Sequence, residues 1–191
     1  MGFLNLATVR LCTESEGPGR RFAIWVQGCL KHCEGCCNPE MQEIRQNIVV
    51  QAQDLIGLIA ASKEQYQIEG VTFVGGEPFL QAEGCAEVAH WCRQNDLSVL
   101  TFSGYRLDEL KDMHNIHIHA FLSEIDVLVD GPFIIDQYDY KRDWVGSVNQ
   151  KVWYLTDRYD SSVERTDTGR QTEFLISDSD ILINGWPINP T

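Results

Sequence analysis

The sequence predicts one α/β domain built on a mostly parallel sheet, and three observations carry that expectation. Short apolar runs suited to strands alternate with longer stretches of helical period. The rhythm is βαβα, which favours parallel strands with helices packed outside. The four least ordinary segments of the chain each follow directly on one of the four strands. In parallel α/β folds the loops at the carboxyl ends of strands converge on one site, so that edge is the expected active site.

The elements follow in order. Phe22 to Val26 reads as a buried strand, and a cysteine-rich loop comes after it. Asp54 to Tyr66 reads as a helix with Leu55, Leu58, Ile59 and Ser62 on one face. Gly70 opens a second strand, Val71 to Val74, which runs into Gly75-Gly76-Glu77-Pro78. Gln81 to Gln94 is a second helix; Cys85 and Cys92 fall at helical spacing with Val88 and Ala89, the buried face, where a free cysteine packs as a small hydrophobe. Leu97 to Phe102 is the third strand, ending in Ser103-Gly104-Tyr105, and Arg106 to Lys111 starts another helix. Asp126 to Val129 is the fourth strand and leads into Asp130-Gly131. Residues 131–150 are polar and aromatic without a clear period, and Lys151 to Leu155 has the pattern of a late strand. These elements make a core of residues 1–155, followed by an extension of residues 156–191. Within the extension Asp157 to Thr172 is charged, while Phe174 to Ile176 and Ile181 to Ile183 have the pattern of a small hairpin around Ser177-Asp178-Ser179-Asp180.

A length of 191 residues suits one domain with a proper core. The net charge of −13 argues against a nucleic-acid partner, whose binding rests on Lys and Arg neutralising phosphates. Met1 to Leu11 carries a short apolar stretch without a charged leader or a small-residue cleavage site, and Leu6 stands where a myristoylation motif wants Ser or Thr. No segment approaches the length of a membrane span, so no membrane association is expected. The seven cysteines are an odd count in a chain too long to need staples, which argues against a disulfide framework and for a reducing cytoplasm.

Cys29, Cys33 and Cys36 form a C-x3-C-x2-C run, the most informative feature of the chain. Three thiolates so close can hold three irons of a 4Fe-4S cube and leave the fourth without a protein ligand, whereas ordinary electron-transfer clusters use four cysteines. Structural zinc wants four ligands, usually as two distant pairs, and no second Cys/His pair stands at a suitable distance; Cys37 and His32 are poorly placed to complete a tetrahedron. His114, His117 and His119 lack a clustered carboxylate or cysteine, and read as a polar strand or loop face. In Gly75-Gly76-Glu77-Pro78 the glycines let the backbone approach a ligand or take a positive φ, Pro78 fixes the turn, and Glu77 can accept hydrogen bonds from a cationic amine. Alone it would equally suit a plain strand-to-helix turn.

Together, the cysteine run and Gly75-Gly76-Glu77-Pro78 resemble the radical S-adenosylmethionine (SAM) superfamily. The resemblance implies a partial, open (βα) barrel, and a 4Fe-4S cluster whose open iron chelates the amino and carboxylate groups of SAM. It further implies reductive cleavage of SAM to a 5′-deoxyadenosyl radical, with the protein supplying placement and exclusion of water. A narrower likeness covers about residues 16–155. Glu16-Gly17-Pro18-Gly19-Arg20-Arg21-Phe22, Gln27-Gly28-Cys29 and Cys36-Cys37-Asn38-Pro39 are similar to the opening of glycyl-radical-enzyme activases. Ser103 to Leu110, Asp126 to Phe133 and Gly146 to Gln150 resemble the branch that activates anaerobic (class III) ribonucleotide reductase.

That branch implies a glycyl-radical enzyme as partner, a flavodoxin- or ferredoxin-type reductant, and no catalytic residue beyond the cluster and SAM. It implies Gly75, Gly76, Glu77 and Pro78 as SAM contacts, with Ser103 and Asp130 toward its ribose or methionine portion; Asp130 is also a fair turn cap. Tyr105 is expected to pack near the cofactor, and Gly146 to Gln150 to shape the site or the partner surface. Cys37 departs from the branch, which has Tyr or His there; it reads as a small buried residue or an extra redox group. A tryptophan motif after Asn38 is absent and the tail beyond Tyr159 is long, so two other readings stay open. One is a radical SAM enzyme acting on a small molecule or peptide. The other is a non-catalytic Fe-S redox protein.

Overall fold

In a computed structural model, described over residues 2–164, 171–176 and 181–185, four strands run parallel at the centre of a seven-stranded sheet. They are β2 (Arg21–Val26), β4 (Gly70–Gly75), β5 (Ser98–Ser103) and β6 (Val127–Asp130), paired in that order. Three antiparallel strands extend the sheet: β1 (Phe3–Thr13) beside β2, β3 (Ile48–Gln51) outside β1, and β7 (Lys151–Tyr154) beside β6. The order β3-β1-β2-β4-β5-β6-β7 leaves β3 and β7 as edges of an open sheet. This is the mostly parallel α/β architecture that the sequence predicts.

Two of these strands were not expected. In β1 the inward side chains Leu4 and Leu6 alternate with Phe3 and Asn5, but a register shift between Leu6 and Thr8 breaks the period. β3 is four residues long and mostly exposed, so it carries little apolar signal of its own. Its pairing with β1 defines it.

Four helices, α1 (Ala52–Tyr66), α2 (Ala82–Gln94), α3 (Leu107–Asp112) and α4 (Ile116–Ser123), contribute to one apolar core on one face of the sheet. Phe22, Ile24, Val26, Val71, Phe73, Val99 and Leu128 supply the sheet's side of it. The buried stripe of α1 is Ala52, Leu55, Ile56, Ile59 and Ser62, so Leu58, expected inside, stands on the solvent side and Ile56 takes its place. α1 ends where Gln67 turns left-handed at φ 54°. In α2, Cys85 and Cys92 are fully buried beside Val88 and Ala89, as their spacing indicates.

The histidine segment is a helix, not the strand or loop face expected. Asn115 caps it through His117 N at 2.9 Å, and Ile118 and Phe121, three residues apart, turn into the core. His114 and His119 contact the carbonyls of Asp112 and Met113 instead of facing one another.

The opposite, helix-free face begins with a polar plug. Arg21 is fully buried at the amino end of β2 and makes five hydrogen bonds, to Thr72 Oγ1, Pro18 O, Ser98 Oγ, Val71 O and Ser98 O. Such a charge is tolerable only because its donors are used. In the extension, Thr172–Ile176 (β8) and Ile181–Gly185 (β9) pair antiparallel as the expected hairpin; Ser177 to Asp180 lies outside the described residues.

Phe121 meets Phe73 edge-on at 5.2 Å and Phe79 at 4.9 Å between ring centroids, tying α4 to β4 and to the turn that follows Pro78. Phe121→Ala is expected to lower unfolding free energy by about 3–5 kcal/mol, as large-to-small changes at buried aromatics do. Urea unfolding of wild type and variant measures it.

Candidate functional site

The carboxyl ends of the parallel strands and the helix-free face enclose one cavity of about 1070 Å3. All four unusual segments reach it: the cysteine loop does so through Cys29, Cys33 and Cys36, the β4 loop through Gly75, Gly76 and Glu77, and the β5 loop through Ser103 and Gly104. The β6 loop reaches it through Gly131 and Phe133.

The first two loops are interlocked by backbone. Gly76 N donates to Val26 O at 2.8 Å and Glu77 N to Gly28 O at 2.9 Å. Gly75 sits at φ 99°, and a Cβ on Gly76 would collide with the carbonyl of Gly28, so only glycine permits this contact. On its other side the cysteine loop is held by Gly28 N to Met41 O at 2.8 Å and Cys29 N to Gln42 O at 3.0 Å. Lys31 lies 3.7 Å above the ring of Tyr105 and bridges the loop to α3.

The three thiols of the run are half-buried. Backbone N–H groups of Lys31 and Asn38 donate to the sulfurs of Cys29 and Cys36, each at 3.4 Å. Among the described residues no three His, Cys, Asp or Glu side chains lie close enough to hold one ion. Cys29, Cys33 and Cys36 all line the one cavity, so the sulfur donors that an iron–sulfur cluster takes face a shared space. Cys37 is exposed to the cavity, contrary to the expectation of a small buried residue. The loop turns its side chain outward, where its hydrogen bond to Cys36 brings the Cys36 thiol down to about 6.

Glu77 is 1% exposed and its carboxylate is already engaged. It accepts from Ser103 Oγ at 3.0 Å, Phe79 N at 3.1 Å and Gly104 N at 2.8 Å, so it binds the end of β4 to the end of β5. Asp130 accepts from Leu107 N at 2.6 Å, at the first turn of α3, and the cavity wall next to it is Gly131. Pro78 opens the short 3-10 turn behind the wall. Tyr105 packs against the main core.

The segments 131–133 and 146–150 form one unit. Gln150 donates to Gly131 O at 2.8 Å and accepts from Gly146 N at 2.9 Å, while Asn149 donates to Pro132 O at 2.8 Å. Arg142 ties the intervening loop to Asp139 at 2.6 Å and to Gln150 O at 3.1 Å. Gly146 and Gln150 both reach the cavity, consistent with a shaping role.

The sequence reading missed the far wall. Thr8 and Arg10 of β1, Ser15, Trp25 and Val74 line it, and Arg10 stands over the Trp25 ring at 5.8 Å. Glu16, noted only as part of a motif, lines it too, its carboxyl pushed up to about 7 by burial. The only signal for this wall is that Ala23, Trp25 and Val74 alternate with the core residues of β2 and β4.

A cysteine loop facing a cavity at the strand ends offers the donor set that an iron–sulfur cluster takes. A family model described as a 4Fe-4S single cluster domain matches residues 15–153. A phage T4 relative, named anaerobic ribonucleoside-triphosphate reductase-activating protein, is 27% identical over 158 residues, covering 81% of this chain and 96% of its own length. One of the same name from Vibrio cholerae is 34% identical over 149 residues, covering 74% and 92%. The chain belongs to the family of anaerobic ribonucleoside-triphosphate reductase-activating proteins. Among solved structures, QueE from Escherichia coli shares 15% identity with a TM-score of 0.44, over 53% of this chain and 52% of that one.

Burial pushes the Glu77 carboxyl from its ordinary 4.5 up to about 7, against bonds from Phe79, Gly104 and Ser103 that pull it down. An acid with a raised folded pKa holds its proton more tightly folded than unfolded. Its stabilising contribution is complete below 4.5 and lost as pH rises through about 7. The thermal midpoint of the metal-free protein is expected to fall across that window, with a shallower slope in Glu77→Gln; midpoints measured at several pH values test this.

Proposed function

We propose that the protein activates an anaerobic ribonucleoside-triphosphate reductase by SAM-dependent radical chemistry. One observation carries the reading. The three thiols of the run, with Cys37 beside Cys36, share a cavity with the glycine-rich end of β4 and the end of β5, in a chain whose relatives bear the activating-protein name. When bound, a 4Fe-4S cluster and SAM together supply a 5′-deoxyadenosyl radical able to take a hydrogen atom from a glycine of the reductase.

The chain's own residues hold, orient and shield. Cys29, Cys33 and Cys36 would hold the cluster at the cavity they line, and the run offers no fourth thiol to it. A volume of about 1070 Å3 leaves room beside a cube for a cofactor of nucleoside size. Gly75 and Gly76 present backbone along that space, and Glu77 with Ser103 forms its polar corner. Of the roughly four lone-pair sites of an ionised carboxylate, the three bonds Glu77 accepts leave about one for a cationic amine. Asp130 and Pro78 act from behind the wall, Asp130 by fixing the start of α3. Trp25, Val74 and Phe102 give the cavity an apolar floor that excludes water from a reactive radical. Electrons come from a flavodoxin- or ferredoxin-type donor. No helix among the described residues is long and apolar enough to cross a membrane.

Cys29→Ala, Cys33→Ala and Cys36→Ala are each expected to lose most bound iron and the cluster's visible absorbance, while Cys12→Ala and Cys85→Ala keep both. Iron-to-protein ratios after anoxic reconstitution decide it, and full loading of a Cys33→Ala protein would overturn the ligand set. Anoxic EPR with SAM, reductant and the reductase is expected to show a glycyl-radical doublet on the reductase, with 5′-deoxyadenosine as product. Deoxyadenosine without that doublet would move the substrate elsewhere. Absence of both would leave a redox protein.

A further inference from the structure

The C-terminal hairpin is seated on the chain's own cavity. Glu173 of β8 accepts from Thr13 Oγ1 at 2.5 Å, Glu14 N at 2.7 Å and Ser15 Oγ at 3.4 Å. Asn184 of β9 donates to Thr13 Oγ1 at 2.8 Å and to Ser15 Oγ at 3.2 Å. Gly185 N donates to Glu16 Oε1 at 3.1 Å. Through Gln171, Ile183, Asn184 and Gly185 the hairpin forms one wall of the cavity that the cysteines line.

Three features characterise this seat. First, its described attachments to the strip at 13–16 are polar, whereas Phe174, Ile176, Ile181 and Ile183 are more than half exposed. Little apolar area therefore holds the hairpin down, and two paired strands alone are marginal in water. Second, the fit is specific to a glycine. Gly185 has φ 88°, and a Cβ there would stand 2.5 Å from Gln171 O and 2.7 Å from Ser15 Cβ. Third, the hairpin lies beyond the family-matched residues 15–153, while Ser15 and Glu16 lie inside them. Part of the seat, Ser15 and Glu16, thus belongs to the matched core, while the cover lies outside it.

We propose that the C-terminal hairpin is a built-in competitor that covers the Thr13–Glu16 strip and must leave it before the partner's glycine-bearing segment can enter the cavity. The identity of that partner rests on the activase reading; the seat itself does not. In the free protein the hairpin presents a backbone N–H of a glycine to Glu16, and an incoming segment has to take over that wall. A chain whose open state is a minor fraction shows a weakened apparent affinity for its partner, by that fraction.

The test is amide hydrogen exchange on the full-length protein, alone and with the reductase, alongside activation rates at graded reductase concentrations. Amides of residues 181–185 are expected to be protected in the free protein, exposed in Gly185→Ala, and exposed in wild type when the reductase binds. Glu173→Ala removes the β8 anchor without touching the cysteines or the β4 loop. It is expected to lower the half-saturating reductase concentration about tenfold at unchanged maximal rate, because it frees the covered fraction. A hairpin that stays protected with reductase bound, or a half-saturation that rises in Glu173→Ala, would overturn the proposal in favour of a docking arm. A reductase that neither binds nor gains a radical sinks the activase reading instead. In that case exchange of the free protein decides the seat: unprotected amides at 181–185 overturn it, and protection lost in Gly185→Ala upholds it.

Discussion

Two backbone hydrogen bonds, Gly76 N to Val26 O and Glu77 N to Gly28 O, join the loop after β2 to the loop after β4. Because the parallel register already sets Val26 beside Gly75, the contact continues the β-ladder past the end of the sheet. A side chain on Gly76 would force the two loops apart. Cys29 follows Gly28 immediately, so the placement of the first thiol is inherited from the sheet. Glu77 then passes the alignment to β5 through Ser103 and Gly104. The site is the frayed edge of a sheet kept in register by hydrogen bonds, which gives loops the rigidity of strands.

The sheet has two unlike faces, and the division of labour follows from them. One face buries aliphatic and aromatic side chains under four helices and supplies most of the apolar stabilisation. The other cannot be equally apolar, since it bounds the cavity. It is closed at the amino end by a buried guanidinium with five bonds and at the carboxyl end by a buried carboxylate with three. Each group is costly to bury and is held by geometry that uses its hydrogen-bonding capacity, so each locks several strands relative to one another. The loop at 131–150 follows the same logic, with the Arg142–Asp139 ion pair and the amides of Gln150 and Asn149 tying it together.

How much of this could be read in advance differs from residue to residue. The central strands and α2 were legible because apolar runs and helical period are local properties, and Cys85 and Cys92 sit where that period puts them. β1 was not, because its alternation is interrupted by a register shift that exists only against β2. β3 has no signal without β1. The helix at His117 hid behind an Ile-His alternation that imitates a strand, and the Asn115 cap decided the matter. Asp130 offered both a site role and a cap, and the bond it makes is to the start of α3.

By itself the sequence determined the chemistry. The spacing of Cys29, Cys33 and Cys36, the paired glycines before Glu77 and the strand-ending positions of Ser103 and Gly131 are local facts, and they specify donors, a close backbone approach and a shared edge. Only the tertiary structure decided the far side of the cavity. Arg10 reaches it because β1 runs antiparallel beside β2, and Gly185 reaches it because Glu173 and Asn184 find Thr13 and Ser15, 160 and 169 residues away in the chain. Contacts between segments so distant leave no periodicity or spacing to read. They exist only once folding has met the entropy of closing the chain between them.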